Sequence, residues 1–415
     1  MTRKLIALIG LALLVGCSGG GDSSSTTSPS PPPASPLAQP DMLTLTPAGL
    51  LRGKASGQGQ HLVFAHANLQ RETVLVSEGH VVYSRTQGPT SPDIWNVRAD
   101  GTEDHALVNT QADEHLRAFN GLWIIYTKLI FHPQGTVTEE QWNLRRDTGA
   151  QFLLVDGSSP VHMQFYGADR ILFTEDHQIF SETLTGTGRI PHTDYMGSDF
   201  MLGNARIVDN ALIYYRDDIS GQQVGSPVRL FSVPLAGGNP LALDSDQFYI
   251  GNAPSIGNRV VYPRCTWPSG TLCDVASIRA DGTDRVVLAS HPANEAVQGV
   301  TTNHVIIRRN LNGNDHLSAV PVNGGVEKLL MTMTDSEFVE TIVGDVVIVR
   351  RPSGTWTLDL NGALKQLGTV ALDFNVTAVG NAVCGNTRNA VWCMPLDGSG
   401  PQVKIADNGR VVGVL

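Results

Sequence analysis

The chain reads as an all-β protein, a β-propeller of about eight four-stranded blades, with seven as the alternative. Three observations predict this. A short phrase, an apolar run closing on an aromatic or apolar residue and usually a base, recurs eight times: VVYSR ending at Arg85, IIYTK at Lys128, ILFTE at Glu175, LIYYR at Arg216, VVYPR at Arg264, VIIRR at Arg309, VVIVR at Arg350 and AVCGN at Asn386. Its third positions, Tyr83, Tyr126, Phe173, Tyr214, Tyr262, Ile307, Ile348 and Cys384, lie 43, 47, 41, 48, 45, 41 and 36 residues apart. A period of roughly 40–45 residues holding several short strands is that of a propeller blade. Second, no stretch sustains a helical period. Third, only 16% of residues are charged while glycine (43) and proline (23) are plentiful, the balance of many strands joined by tight turns.

The chain opens with Arg3 and Lys4 and an apolar run from Leu5 to Val15. That run is a secretory signal core, because a membrane span needs about 20 residues. The segment Leu14-Val15-Gly16-Cys17 resembles the lipobox of bacterial lipoproteins. The resemblance implies cleavage after residue 16, with Cys17 acylated as the new first residue, and Ser18 behind it implies the outer membrane. A plain signal peptide with an incidental cysteine is the competing reading. Gly16-Cys17-Ser18-Gly19-Gly20 also satisfies the G-x-S-x-G pattern, but a nucleophile elbow needs a strand before it and a helix after it.

Residues 17–42 carry the acylated cysteine and then Gly, Ser, Thr and Pro with almost nothing to bury, a disordered tether stiffened at Pro31-Pro32-Pro33. Residues 43–415 form the propeller. Its size exceeds a single-core domain, which a repeat architecture allows because each blade packs on its neighbours.

The first unit shows how a blade is written: TVLVSEG is the inner strand, HVVYSR the second, DIWNVRADG the third with its turn, and TEDHALVNT the outer. Ala-Asp-Gly-Thr stands at 99–102 and again at 280–283, and Asp-Gly between apolar runs marks a hairpin. Related turns follow at Gly237-Gly238, Asn323-Gly324, Asn361-Gly362 and Asp397-Gly398. The phrase IWNVRADGTEDHALV resembles the repeat of TolB-type six-bladed propellers, which also form the noncatalytic domain of some peptidases. The chain departs from that family in its higher unit count and in lacking the preceding α/β domain, so the family's partners do not transfer. No peptidase domain is expected to follow, since the chain ends one strand after the eighth unit. GRVVGVL beyond it and QHLVFAHA before the first unit leave one strand to complete a shared, ring-closing blade.

Cys265 and Cys273 bracket one hairpin, and Cys384 and Cys393 another. An exported chain meets oxidising conditions, which favours two local disulfides; a metal site is the alternative. No cofactor motif is present: no H-E-x-x-H, P-loop or dinucleotide fingerprint. A net charge of −10 argues against nucleic acid, and membrane association is expected through the lipid alone.

Candidate site residues fall into two sets. An acid precedes the inner strand of most units: Glu114, Asp199, Asp246, Glu295, Glu337 and Asp373. These are expected at the channel mouth, among the bases that end the second strands, as a ring of alternating charge that is either architectural or a ligand site. The second set sits on long loops of the same face, at 86–92, 129–140, 217–227 and between Cys265 and Cys273. They carry His132, Trp142, Arg145, Asp217, Asp218, Gln222, Gln223 and Trp267, an aromatic, amide and carboxylate mixture suited to a sugar or peptide. Acid–histidine neighbours such as Asp104-His105 make poor dyads, because adjacent strand residues face opposite ways. The leading expectation is a noncatalytic envelope lipoprotein that binds a protein, peptide or glycan of the cell envelope. A polysaccharide lyase or glycoside hydrolase, or a structural envelope protein, are the alternatives.

Overall fold

The computed structural model describes residues 40–65, 73–86, 92–156, 163–166, 169–175, 178–193, 205–217, 228–244, 253–265 and 273–415. These form nine four-stranded antiparallel sheets, so the propeller has nine blades where the repeat count predicted eight or seven. All eight recurring phrases are second strands, from His80–Thr86 in blade two to Ala382–Asn386 in blade nine.

The ninth sheet is the one the period missed. Blade one takes its outer three strands from Asp41–Thr46, Gly49–Lys54 and His61–Ala65, and its inner strand from Arg410–Val414 at the other end of the chain. Its second strand reads DMLTLT, in which threonines replace the apolar run and no base closes the phrase. Both strands left over in the sequence therefore belong to one blade. Leu415 N–H donates to Asp41 O at 2.8 Å, closing the ring.

Second strands are buried on both faces, because each lies between two neighbouring blades; Val347, Ile348 and Val349 are all fully buried. That is why they read as unbroken apolar runs rather than alternating ones. Nine apolar clusters fill the molecule, one at each blade interface. The cluster of Met42, Val379, Cys384 and Ile405 joins blade nine to blade one, so no interface is left open.

Polar ties run the same way round. Ser232 Oγ donates to Ala280 O at 2.6 Å and Ser277 Oγ to Val322 O at 2.7 Å, each binding a third strand to the next blade's turn. The Asp-Gly turns explain themselves here. Gly101 has φ +87°, and a Cβ on it would lie 2.8 Å from Val63 O in the preceding blade's outer strand. Glycine thus supplies both the left-handed conformation and the close approach between blades.

Candidate binding face

Inner strands start, and second strands end, on one face of the disc. The described members of the predicted acids lie there, and most of them meet arginines. Glu295 is 1% exposed and accepts from Arg309 Nε at 2.7 Å, while Arg309 Nη2 also reaches Glu327 at 3.0 Å. Glu337 pairs with Arg351 and accepts from Thr334 N–H at 2.7 Å. Asp373 holds Arg350 Nη1 at 2.9 Å across the gap between blades eight and nine. Arg350 Nε donates to Glu340 at 2.7 Å, a residue that an inner-strand bulge adds between Val339 and Thr341. Burial pushes the Glu295 carboxyl up to about 6 against the opposing pull of Arg309, and burial also raises Glu340.

Glu114 is the exception. It lies opposite Lys128 in the ladder, but Lys128 Nζ sits 5.8 Å from the Trp142 ring centre instead. Thr110 donates to its Oε1, and its fully buried Oε2 has no hydrogen-bond partner among the described residues. Burial raises its pKa, and nearby Asp93 adds to the shift.

The predicted loop at 129–140 is largely strand. Trp123–Phe131 and Val137–Arg145 pair residue for residue up to Val137 opposite Phe131. The inner strand stops at Asp113, opposite Leu129, and the outer strand at Asp156, opposite Glu140. Residues 130–139 therefore stand beyond the described four-stranded sheet as a two-stranded ribbon. His132 is in its tip, with Nε2 2.8 Å from Thr138 Oγ1. Trp142 lies in the body of the sheet, its Nε1 donating to Glu140 at 2.8 Å, so it is a packed residue rather than an open anchor. Arg145 is at the opposite face, beside Asp147 at 2.9 Å. The Asn310–Asp315 stretch is a hairpin in blade seven.

Asp217 ends the second strand of blade five. Cys17, Asp199, Asp218, Asp246, Gln222, Gln223 and Trp267 lie outside the described residues. Both disulfides are present, Cys265–Cys273 and Cys384–Cys393, each joining directly opposed residues of a second and third strand. No described group of three or more His, Cys, Asp or Glu side chains could hold a metal ion.

The residues that sequence reasoning passed over are three phenylalanines. Phe131 is 60% exposed, Phe338 42% and Phe374 44%, and they are the exposed aromatic residues among those described. All three lie on this face. Phe131 tips the ribbon, and Phe338 and Phe374 are the first residues of adjacent inner strands. The signal was in the repeat, since Glu337-Phe338 and Asp373-Phe374 follow the acid positions directly.

No family model matches the chain, and no curated protein matches it. Among solved structures, dipeptidyl peptidase 4 of Porphyromonas gingivalis matches at 9% identity and a TM-score of 0.54, over 80% of this chain and 58% of that one. That likeness concerns the fold. An oligogalacturonate lyase in complex with manganese matches at 10% identity and 0.43, over 77% of this chain and 98% of that one. A putative TolB from Agrobacterium tumefaciens matches at 12% and 0.34, over 63% of this chain and 87% of that one. The chain spans 46%, 53% and 58% of the tricorn protease, the puromycin-hydrolysing peptidase of Mycobacterium tuberculosis and the dipeptidyl peptidase.

Proposed function

We propose that the chain is a noncatalytic binding propeller of the bacterial envelope, lipid-anchored through Cys17 in the outer membrane. It engages a protein, peptide or glycan through the face described above. One observation carries the reading. Every exposed aromatic residue among those described lies on that face, where most described channel-mouth acids are paired with arginines. Apolar rings left in water by a fold that buries its other described aromatics at least in part mark a contact surface. An acid already paired within the fold has little left to offer a ligand, whereas an aromatic anchor that becomes buried can supply about 2 kcal/mol or more.

The test is a titration against cell-envelope fractions. Phe131→Ser is expected to weaken binding at least tenfold with the fold intact, and Glu337→Gln to change it less than twofold. Abolition by Glu337→Gln with normal binding by Phe131→Ser would place the site in the charge ring and overturn the reading.

A second reading, a carbohydrate-active enzyme, rests on Glu114, a buried carboxyl with a raised pKa and one oxygen that has no hydrogen-bond partner among the described residues. Such a group suits a general acid. Release of reducing ends from envelope polysaccharides by the protein, and its loss in Glu114→Gln, would favour that reading instead.

A further inference from the structure

Phe338 and Phe374 hold the same position in neighbouring blades, and the inner strands they begin, Phe338–Val343 and Phe374–Val379, lie against each other. Between them runs a single bridge. The Arg350 guanidinium lies 4.5 Å from the Phe338 ring centre while its Nη1 reaches Asp373, the residue before Phe374. Glu340 holds the same guanidinium from its Nε. The Phe338 ring therefore carries a clamped arginine, Phe374 directly follows that arginine's second carboxylate, and both phenylalanines are more than two-fifths exposed.

Three carboxylates, Glu337, Glu340 and Asp373, meet Arg350 and Arg351, and exposed Arg388 stands two residues beyond Asn386, the ladder partner of Phe374. Asp373 is 31% exposed, so its carboxylate can accept from a further donor. An aromatic face carries a negative quadrupole and attracts cations. This chain uses that attraction repeatedly, with Arg351 5.1 Å from Trp356 and Arg189 4.0 Å from Phe180.

We infer that the channel mouth of blades eight and nine is a subsite for a cationic side chain of a partner protein, a guanidinium above all. The incoming cation stacks on the open faces of Phe338 and Phe374 and donates to Asp373. The open Asp373 carboxylate and the negative ring faces favour a cation over an anionic or neutral group. Arg350, already fixed by two carboxylates and a ring, leaves little to order on binding. The inference names a ligand chemistry for the loop face and rests on the reading above.

The experiment titrates the folded protein with the pentapeptide Gly-Gly-Arg-Gly-Gly, its citrulline analogue, which is isosteric and neutral, and cellotetraose. The arginine peptide is expected to bind at least tenfold more tightly than the citrulline peptide and to weaken with added salt. Phe374→Leu keeps the apolar bulk and removes the quadrupole, so it should cost about three- to tenfold. Phe338→Leu is the second variant, should the first unfold. Val326→Ser, in an exposed turn on the opposite face, should leave the arginine peptide unaffected.

Equal binding of arginine and citrulline, no measurable binding of either, preference for cellotetraose, or indifference to both leucine variants would each overturn the subsite. If Phe131→Ser abolishes envelope binding while the arginine peptide does not bind, the subsite falls and the function above stands. Arginine-peptide binding alongside envelope binding indifferent to Phe131→Ser supports the subsite and sinks the ribbon reading.

Discussion

A nested set of alanine substitutions at the turns between third and outer strands tests how the blades are held together. Gly101 and Gly237 occupy matching turns with nearly equal backbone angles, φ +87° and +92°. Their surroundings differ. A Cβ on Gly237 would approach nothing closer than Ile190 Cγ2 at 3.5 Å, an ordinary contact, whereas on Gly101 it would meet the Val63 carbonyl oxygen at 2.8 Å. An alanine held in the left-handed region costs about 1–2 kcal/mol, and both variants bear that cost. Gly101→Ala must also displace backbone of the preceding blade, and overpacking of this kind adds about 1–3 kcal/mol. Gly282→Ala should fall between them, because the atom it meets at 2.7 Å is the movable Leu241 Cδ2. Urea unfolding of the three variants is the assay, and the order Gly237→Ala, Gly282→Ala, Gly101→Ala in rising destabilisation is the expected result. If Gly101→Ala and Gly237→Ala lie within about 0.5 kcal/mol, the scale of an ordinary surface change, the glycines serve the turn alone and the inter-blade argument is wrong.

Three further outcomes are expected. Glu295 has its folded pKa raised from 4.5 to about 6, so the folded state takes up its proton first and stability gains as pH falls from about 6 toward 4.5. The wild type should therefore gain about 2 kcal/mol over Glu295→Gln between pH 7 and pH 4.5, read by paired denaturation curves; an unchanged gap would refute the shift. Each hairpin disulfide should contribute about 2–3 kcal/mol, so Cys384→Ser with Cys393→Ser should lower the urea midpoint, and peptide mapping of the unreduced protein should recover both pairs intact. Cys17→Ser should move the exported protein out of the detergent phase; retention there after signal cleavage would rule out acylation at that thiol.

The blade period was legible because second strands are buried on both faces and must be apolar throughout. Blade one escaped for a physical reason. Leu43 and Leu45 face the core shared with blade two, while Thr44 and Thr46 fill the alternate positions of the same strand, breaking the run. Its inner strand lies at the far end of the chain, where no local period can reveal the pairing. The acids at the channel mouth were readable as a pattern, but their partners were not. Glu337 takes Arg351 rather than Arg350, because Arg350 is engaged by Glu340 and Asp373, and the bulge that supplies Glu340 has no sequence mark. The 129–140 segment carries His-Pro-Gln-Gly and reads as a loop, yet its flanks Leu129, Ile130 and Phe131 continue the ladder.

Blade one also orders events in time. Its second strand is the first strand of the described chain, and the inner strand that completes it is the last, so the latch joins segments more than 360 residues apart. Contacts of such separation form late, since the loop they close must first be ordered. Blades two to nine each draw on one continuous stretch and can assemble as the chain is delivered. Residues 41–65 must wait, with the apolar sides of Leu43, Leu45 and Leu50 uncovered by their own inner strand, until residues 410–414 arrive. Until residues 410–414 arrive, a chain of this kind is an open arc and not yet a ring. Its vulnerable interval is set by how soon the last strand follows the first, and a holdase that shields the N-terminal strands would act on that interval alone.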